Sequence, residues 1–166
     1  MIKKGVYAAG LSLLNADRTL NIDATIAHAC EAIQSGLHGI FFFGSTGQSQ
    51  LISTNEKKEL ISKIASNKLK KNFFLGTGNN SLNENIDIVK YAMEYDFKEF
   101  LIMPPAYYKG NTDEGVFDFY SRLISAIPKV KIILYNFEKL SGYKFSEEAI
   151  IKLVKAYPDN IIGCKD

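Results

Sequence analysis

The residue with the most reactive potential is Lys165, one position from the end of the sequence, after the apolar run Ile161-Ile162-Gly163-Cys164. Three other polar groups follow apolar runs in the same manner. Tyr135 closes Lys131-Ile132-Ile133-Leu134, and Ser45 and Thr46 lie between glycines in Gly44-Ser45-Thr46-Gly47. Tyr107 and Tyr108 stand together after Pro104-Pro105-Ala106. An amine, phenols and hydroxyls make a coherent set. A lysine amine is a poor nucleophile while protonated, and desolvation disfavours the charged form. The neutral amine attacks a ketone and forms an imine, which draws electrons from the neighbouring carbon. Phenol and hydroxyl groups in a chain carry the protons that imine formation and release require. Backbone N–H groups in a Gly-Ser-Thr-Gly turn would hold a carboxylate beside that ketone. A 2-oxo acid such as pyruvate supplies both groups.

Each residue also has a plainer reading. The glycine-flanked pair reads as a tight turn, the paired tyrosines as packing aromatics, Tyr135 as a strand cap and Lys165 as a solvated lysine. What favours chemistry is their common placement, so the elements that position them matter. Apolar runs occur at 6–11, 39–43, 73–76, 100–103, 131–135 and 161–164. Their nearly continuous apolar character suits parallel strands covered on both faces. Between them lie helical stripes, such as Ile22, Ile26, Ala29, Ile33 and Leu37, or Ile86, Val89 and Met93. Ser53 with Glu56, and Ser81 with Glu84, have capping-box spacing, and Thr112 and Ser146 are single N-cap candidates. Strand starts recur roughly every 30 residues, the length of a βα unit.

Two architectures fit this alternation, a doubly wound open sheet and a (β/α)₈ barrel. The open sheet calls for a dinucleotide fingerprint. The nearest match, Gly76-Thr77-Gly78-Asn79-Asn80-Ser81, lacks the third glycine, and Asp96 falls at a helix end. A barrel instead collects its chemistry at the carboxyl ends of strands, where these polar residues fall. The expected fold is therefore α/β, a (β/α)₈ barrel of which about six strands and five helices are present, in one domain spanning 1–166.

Composition bounds the alternatives. The 166 residues, 46% hydrophobic and 23% charged, suffice for one core. The longest apolar run, 39–43, suits a buried strand rather than a membrane span. Met1-Ile2-Lys3-Lys4 leads into no signal-peptide pattern, which makes the cytoplasm the expected location. A net charge of +2 gives no case for nucleic acid, and Lys68, Lys70 and Lys71 are expected to close a helix. His28 and His38 have no metal-ligand spacing, so no metal or other cofactor is expected. Cys30 and Cys164 read as free, buried thiols.

Taken jointly, four segments resemble the dihydrodipicolinate synthase and N-acetylneuraminate lyase superfamily. Gly44-Ser45-Thr46-Gly47 resembles its Gly-Ser/Thr-Thr-Gly-Glu signature, and Tyr107-Tyr108, with Gly115 after it, its Tyr-Tyr segment. Leu134-Tyr135-Asn136 resembles its Leu-Tyr-Asn strand end, and 161–166 its Schiff-base lysine strand. The resemblance implies that Lys165 forms an imine with pyruvate and that Tyr135 shuttles protons. It implies that Ser45 and Thr46 bind the pyruvate carboxylate and join the relay, which Tyr108 completes from a neighbouring subunit. The implied partners are pyruvate or another 2-oxo acid and an aldehyde, with assembly as a dimer of dimers.

Three positions depart from the pattern. Gln48 replaces a glutamate, and Glu138 stands where proline is usual. Leu140 occupies the place of an arginine that, in the synthases proper, binds the aldehyde partner's carboxylate. Losing such a charge-assisted contact costs roughly 1.5–3 kcal/mol. Leu140-Ser141-Gly142 looks more like the lyase branch, which implies a pyruvate-dependent aldolase that uses uncharged hydroxy-aldehydes or cleaves a longer 2-oxo sugar acid. The alternatives are a 4-hydroxy-tetrahydrodipicolinate synthase proper and a non-catalytic barrel fragment. Six strands account for the whole sequence, whereas a closed barrel needs eight and typically ~250 residues. Residues 1–166 alone are therefore expected to be inactive.

Overall fold

The computed structural model describes residues 2–166. Helix starts follow the local capping chemistry. Ser53 and Glu56 form a complete capping box at α2 (Thr54–Ala65). Glu56 also accepts the Leu20 N–H at 2.7 Å, tying the segment before α1 (Ile22–Gln34) to α2. These hydrogen bonds hold its carboxyl below the usual range. At α3 (Leu82–Glu94) only half of the expected box exists. Ser81 accepts from the Glu84 N–H, while the Glu84 carboxylate takes the Thr54 hydroxyl at 3.4 Å. Thr112 and Ser146 cap α4 (Asp113–Ala126) and α6 (Glu147–Ala156), and Asn21, a cap beyond those the sequence predicts, caps α1. A single-turn α5 (Glu138–Ser141) precedes α6.

The strands are β1 (Tyr7–Ala9), β2 (Gly39–Phe42), β3 (Phe73–Gly76), β4 (Glu99–Ile102), β5 (Lys131–Tyr135) and β6 (Ile161–Lys165). All pair in parallel, in the order β1-β2-β3-β4-β5-β6. A doubly wound sheet reverses its strand order at a switch point; this sheet never does. It is the winding of the first six units of a (β/α)₈ barrel.

Alternation along the strands sorts side chains into two layers. Phe42, Leu75, Phe100, Ile132 and Ile161 lie on one rung and are buried against the helices. Burial of each such side chain contributes about 1.5–3 kcal/mol. The next rung, with Leu101 and Ile133, faces the barrel interior, and these two join Tyr135 in a smaller apolar cluster.

Several local expectations change. Lys68, Lys70 and Lys71 do not close a helix, because α2 has already ended at Ala65. Lys70 instead begins a 3₁₀ turn (Lys70–Asn72) with its ammonium 5.4 Å from the Phe97 ring centre. Both cysteines are free, yet Cys164 is exposed and Cys30 half-buried, since β6 is an edge strand with four of five residues exposed. Among the described residues, no helix is long and apolar enough to cross a membrane.

Candidate active site

At the carboxyl end of β2 the chain turns sharply. Phe43, buried at 2% exposure, takes φ of 59°, a left-handed conformation uncommon for a bulky residue and found where surrounding packing over-determines it. The turn then packs on the end of β1. A Cβ at Gly47 would lie 2.7 Å from the Gly10 carbonyl oxygen, so only glycine fits. This geometry aims Ser45 inward, where its hydroxyl meets the Tyr135 hydroxyl at 2.8 Å.

Tyr135 ends β5 and is 6% exposed. It pairs in register with Lys165 of β6, and side chains on paired positions of adjacent strands share a face. The Lys165 ammonium lies over the Tyr135 ring, 4.3 Å from its centre. Ser45, Tyr135 and Lys165 therefore form a continuous series from β2 to β6.

The other anticipated residues are distributed differently. Thr46 is exposed, and its side chain has no hydrogen-bond partner among the described residues. The hydroxyl that reaches Tyr135 belongs to Ser45. Tyr107 and Tyr108 are 76% and 82% exposed, and their rings pack edge to face 5.2 Å apart. Tyr107 lines the cavity beside Tyr135 and Tyr108 does not. Leu140, in α5, lines that cavity as well. The cavity measures about 510 Å³, with Phe43, Ser45, Leu101 and Met103 also on its walls. A larger hollow of 840 Å³ opens among Lys68, Lys98 and Lys131 at the amino-terminal ends of the strands. In such barrels chemistry sits at the opposite end, with the Ser45–Tyr135–Lys165 series.

Three elements of the site escaped the sequence reading. The turns after β2, β3 and β4 are stitched together, Gln50 and Asn80 bonding reciprocally at 3.2 and 3.4 Å while Asn80 also accepts the Ala106 N–H at 2.7 Å. Lys109 continues the seam by donating to the carbonyls of Ala106 at 2.6 Å and Leu140 at 2.7 Å. Lys57 is wholly buried and donates to the Thr77 carbonyl at 2.9 Å and to Asn79 Oδ1 at 2.5 Å. Burial pushes its pKa down to about 8. The segment 76–81, which carries the partial glycine fingerprint, is thus held by a lysine from the neighbouring helix. A signal for Lys57 was present, since it falls on the buried stripe of Leu60, Ile61 and Ile64.

Cys164 precedes Lys165 but pairs with Leu134, on the opposite face from the Tyr135–Lys165 pair. Desolvation, and then Asp166, push its thiol pKa up, which favours the unreactive protonated form. Among the described residues no group of three or more His, Cys, Asp or Glu is placed to hold a metal ion.

Comparison with known proteins bears on the family and the fold. The 4-hydroxy-tetrahydrodipicolinate synthase of Agrobacterium fabrum (strain C58) is 31% identical over 166 residues, covering 98% of this chain and 55% of the relative. That of Rhizobium meliloti (strain 1021) is 28% identical over 164 residues, covering 98% and 55%. The chain spans about half the length of the curated relatives it matches. The crystal structure of dihydrodipicolinate synthase from Agrobacterium tumefaciens str. C58 superposes with a TM-score of 0.91 at 29% identity, over 99% of this chain and 58% of that one. A Ruminococcus gnavus sialic acid aldolase shares the fold, with a TM-score of 0.87 at 17% identity over 97% and 52% of the two chains. The model of the dihydrodipicolinate synthetase family matches residues 3–166, and the chain belongs to that family.

Proposed function

We propose that Lys165 is the imine-forming amine of a pyruvate-dependent carbon–carbon lyase or synthase. The observation that carries this reading is the series Ser45–Tyr135–Lys165 at the carboxyl ends of β2, β5 and β6. The neutral amine adds to the C2 carbonyl of the 2-oxo acid, and the resulting hydroxyl leaves as water after protonation by Tyr135. The imine then draws electrons from C3, which loses a proton to give an enamine. The enamine attacks the carbonyl carbon of an aldehyde, whose oxygen takes a proton as the new bond forms. Water hydrolyses the imine and frees the amine; the reverse sequence cleaves a longer 2-oxo acid. Ser45 exchanges protons with Tyr135 across their hydrogen bond.

The remaining roles follow the same reading. Backbone N–H groups of the turn containing Ser45 and Thr46 hold the pyruvate carboxylate. Tyr108, exposed on the face of the molecule, completes the proton relay of a neighbouring copy in a dimer of dimers. The shared name of the curated relatives favours condensation, as in a 4-hydroxy-tetrahydrodipicolinate synthase. Leu140 in place of arginine is the feature that speaks for a different aldehyde.

Borohydride reduction tests the reading directly. The full-length protein should be inactivated by borohydride only with pyruvate present, and peptide mass spectrometry should find the reduced adduct on Lys165. An adduct on another lysine, or none, would overturn it.

A further inference from the structure

The absence of an arginine at Leu140 suggests, on sequence alone, a site without a cation for the second substrate. The structure brings a cation to that place from elsewhere in the chain. Lys109 lies in the turn between β4 and α4, yet its ammonium is 2.7 Å from the backbone oxygen of Leu140. A second bond, at 2.6 Å, goes to the Ala106 oxygen. An ammonium has three N–H donors, so one remains. No carboxylate among the described residues forms an ion pair with it. Lys109 lines the 510 Å³ cavity and is the only charged side chain among the residues that do.

The position is held from below as well. Gly142 takes φ of +68°, and a Cβ there would lie 2.3 Å from Lys109 Cδ. The aliphatic stem therefore packs against a residue that has no side chain to displace it.

We propose that Lys109 is a specificity-determining residue, supplying the cation that recognises a carboxylate or phosphate on the aldehyde partner. This rests on the imine reading of Lys165. Two backbone carbonyls fix the ammonium without neutralising it, so its charge is directed to a ligand at the cavity mouth. On this proposal the aldehyde carries an anion, whereas Leu140 alone points to an uncharged one.

The test uses the full-length protein and three aldehydes with pyruvate: glyceraldehyde, glyceraldehyde 3-phosphate and succinate semialdehyde. Lys109→Met keeps the stem and removes the charge; Lys109→Arg keeps the charge. Loss of one charge-assisted contact predicts a fall in kcat/KM of roughly 10- to 100-fold for the phosphate-bearing or the carboxylate-bearing aldehyde, or both. Which of the two falls identifies the anion. Glyceraldehyde and the KM for pyruvate should change less than about threefold, and Lys109→Arg should recover most of the loss. An equal loss with all three aldehydes, or none with either anionic one, would overturn the proposal and leave Lys109 a clasp between two turns. Pyruvate trapping by borohydride, run alongside, separates this from failure of the imine reading. A trapped Lys165 adduct with no charge discrimination refutes only the role of Lys109, whereas no adduct refutes both.

Discussion

Replacing Lys57 by methionine should change how stability depends on pH, in a direction the structure dictates. Lys57 is 0% exposed. Its ammonium donates to the Thr77 carbonyl and to Asn79 Oδ1, with the Phe43 ring centre 5.9 Å away. Burial lowers its pKa from 10.5 to about 8, and the charge of Glu84 offsets this only in part. Between these two values the unfolded chain keeps a proton that the folded chain has released. Stability therefore rises with pH across that window. Below pH 8 the penalty for burying the charge is present in full; above 10.5 it is gone. The gap corresponds to on the order of 3 kcal/mol. Methionine keeps the length of the stem and removes the titrating group. Other lysines and tyrosines titrate in both proteins and cancel in the difference. Urea unfolding of full-length wild type and Lys57→Met from pH 7 to 10.5 should show the difference shifting toward wild type by up to about 3 kcal/mol. Parallel curves, or a shift toward the variant, would show that Lys57 is not held in a desolvating site.

Ser45→Ala leaves the nearly buried Tyr135 hydroxyl without its 2.8 Å partner, a loss of about 1–3 kcal/mol. It should slow exchange of pyruvate methyl protons with deuterated solvent by roughly 10- to 100-fold, and adding Ser45→Ala to Tyr135→Phe should cost little more, because the two act as a unit. Asp113 accepts hydrogen bonds from Tyr143 at 2.7 Å and Ser146 at 2.5 Å, joining α4 to the start of α6. These bonds hold its carboxyl below the ordinary 3.8, so the stabilisation is complete above that pH and lost as pH falls through the folded value. Asp113→Asn should destabilise by about 1 kcal/mol at pH 7, and the gap should close in acid unfolding below that range. Residues 1–166 expressed alone leave β1 and β6 as open edges, with the large apolar side chains of Val6, Leu11 and Ile162 exposed at or beside them. Each uncovered large side chain forfeits roughly 1.5–3 kcal/mol of a stability of ~5–15 kcal/mol, so aggregated or loosely ordered protein without a pyruvate adduct is expected by size-exclusion and mass spectrometry. A monodisperse product trapped by pyruvate and borohydride would refute this.

What the sequence settled by itself is local. Ser53, Thr112 and Ser146 cap helices because a side-chain oxygen two or three residues from a free N–H needs no distant partner. The six apolar runs became six parallel strands for a similar reason, since their composition and spacing encode burial on both faces. Even the pairing of Tyr135 with Lys165 was within reach, because consecutive βα units place successive strand ends side by side. Contacts that skip strands are not encoded in any local pattern, and only the family resemblance pointed to Ser45 beside Tyr135. Ser45 and Tyr135 are 90 positions apart on β2 and β5, and only the curl of the sheet brings them across the interior. The path of the turn after β2 then puts the Ser45 hydroxyl against Tyr135 and leaves Thr46 exposed. Lys57 lay on a legible apolar stripe, but its burial depends on finding the Thr77 and Asn79 oxygens on a neighbouring unit. Leu140 reads locally as the loss of a cation, while the Lys109 ammonium, from 31 positions earlier, lies against its carbonyl. A long flexible side chain reaches as far as the fold allows, and where it ends is a property of the surfaces that meet, which no local pattern records.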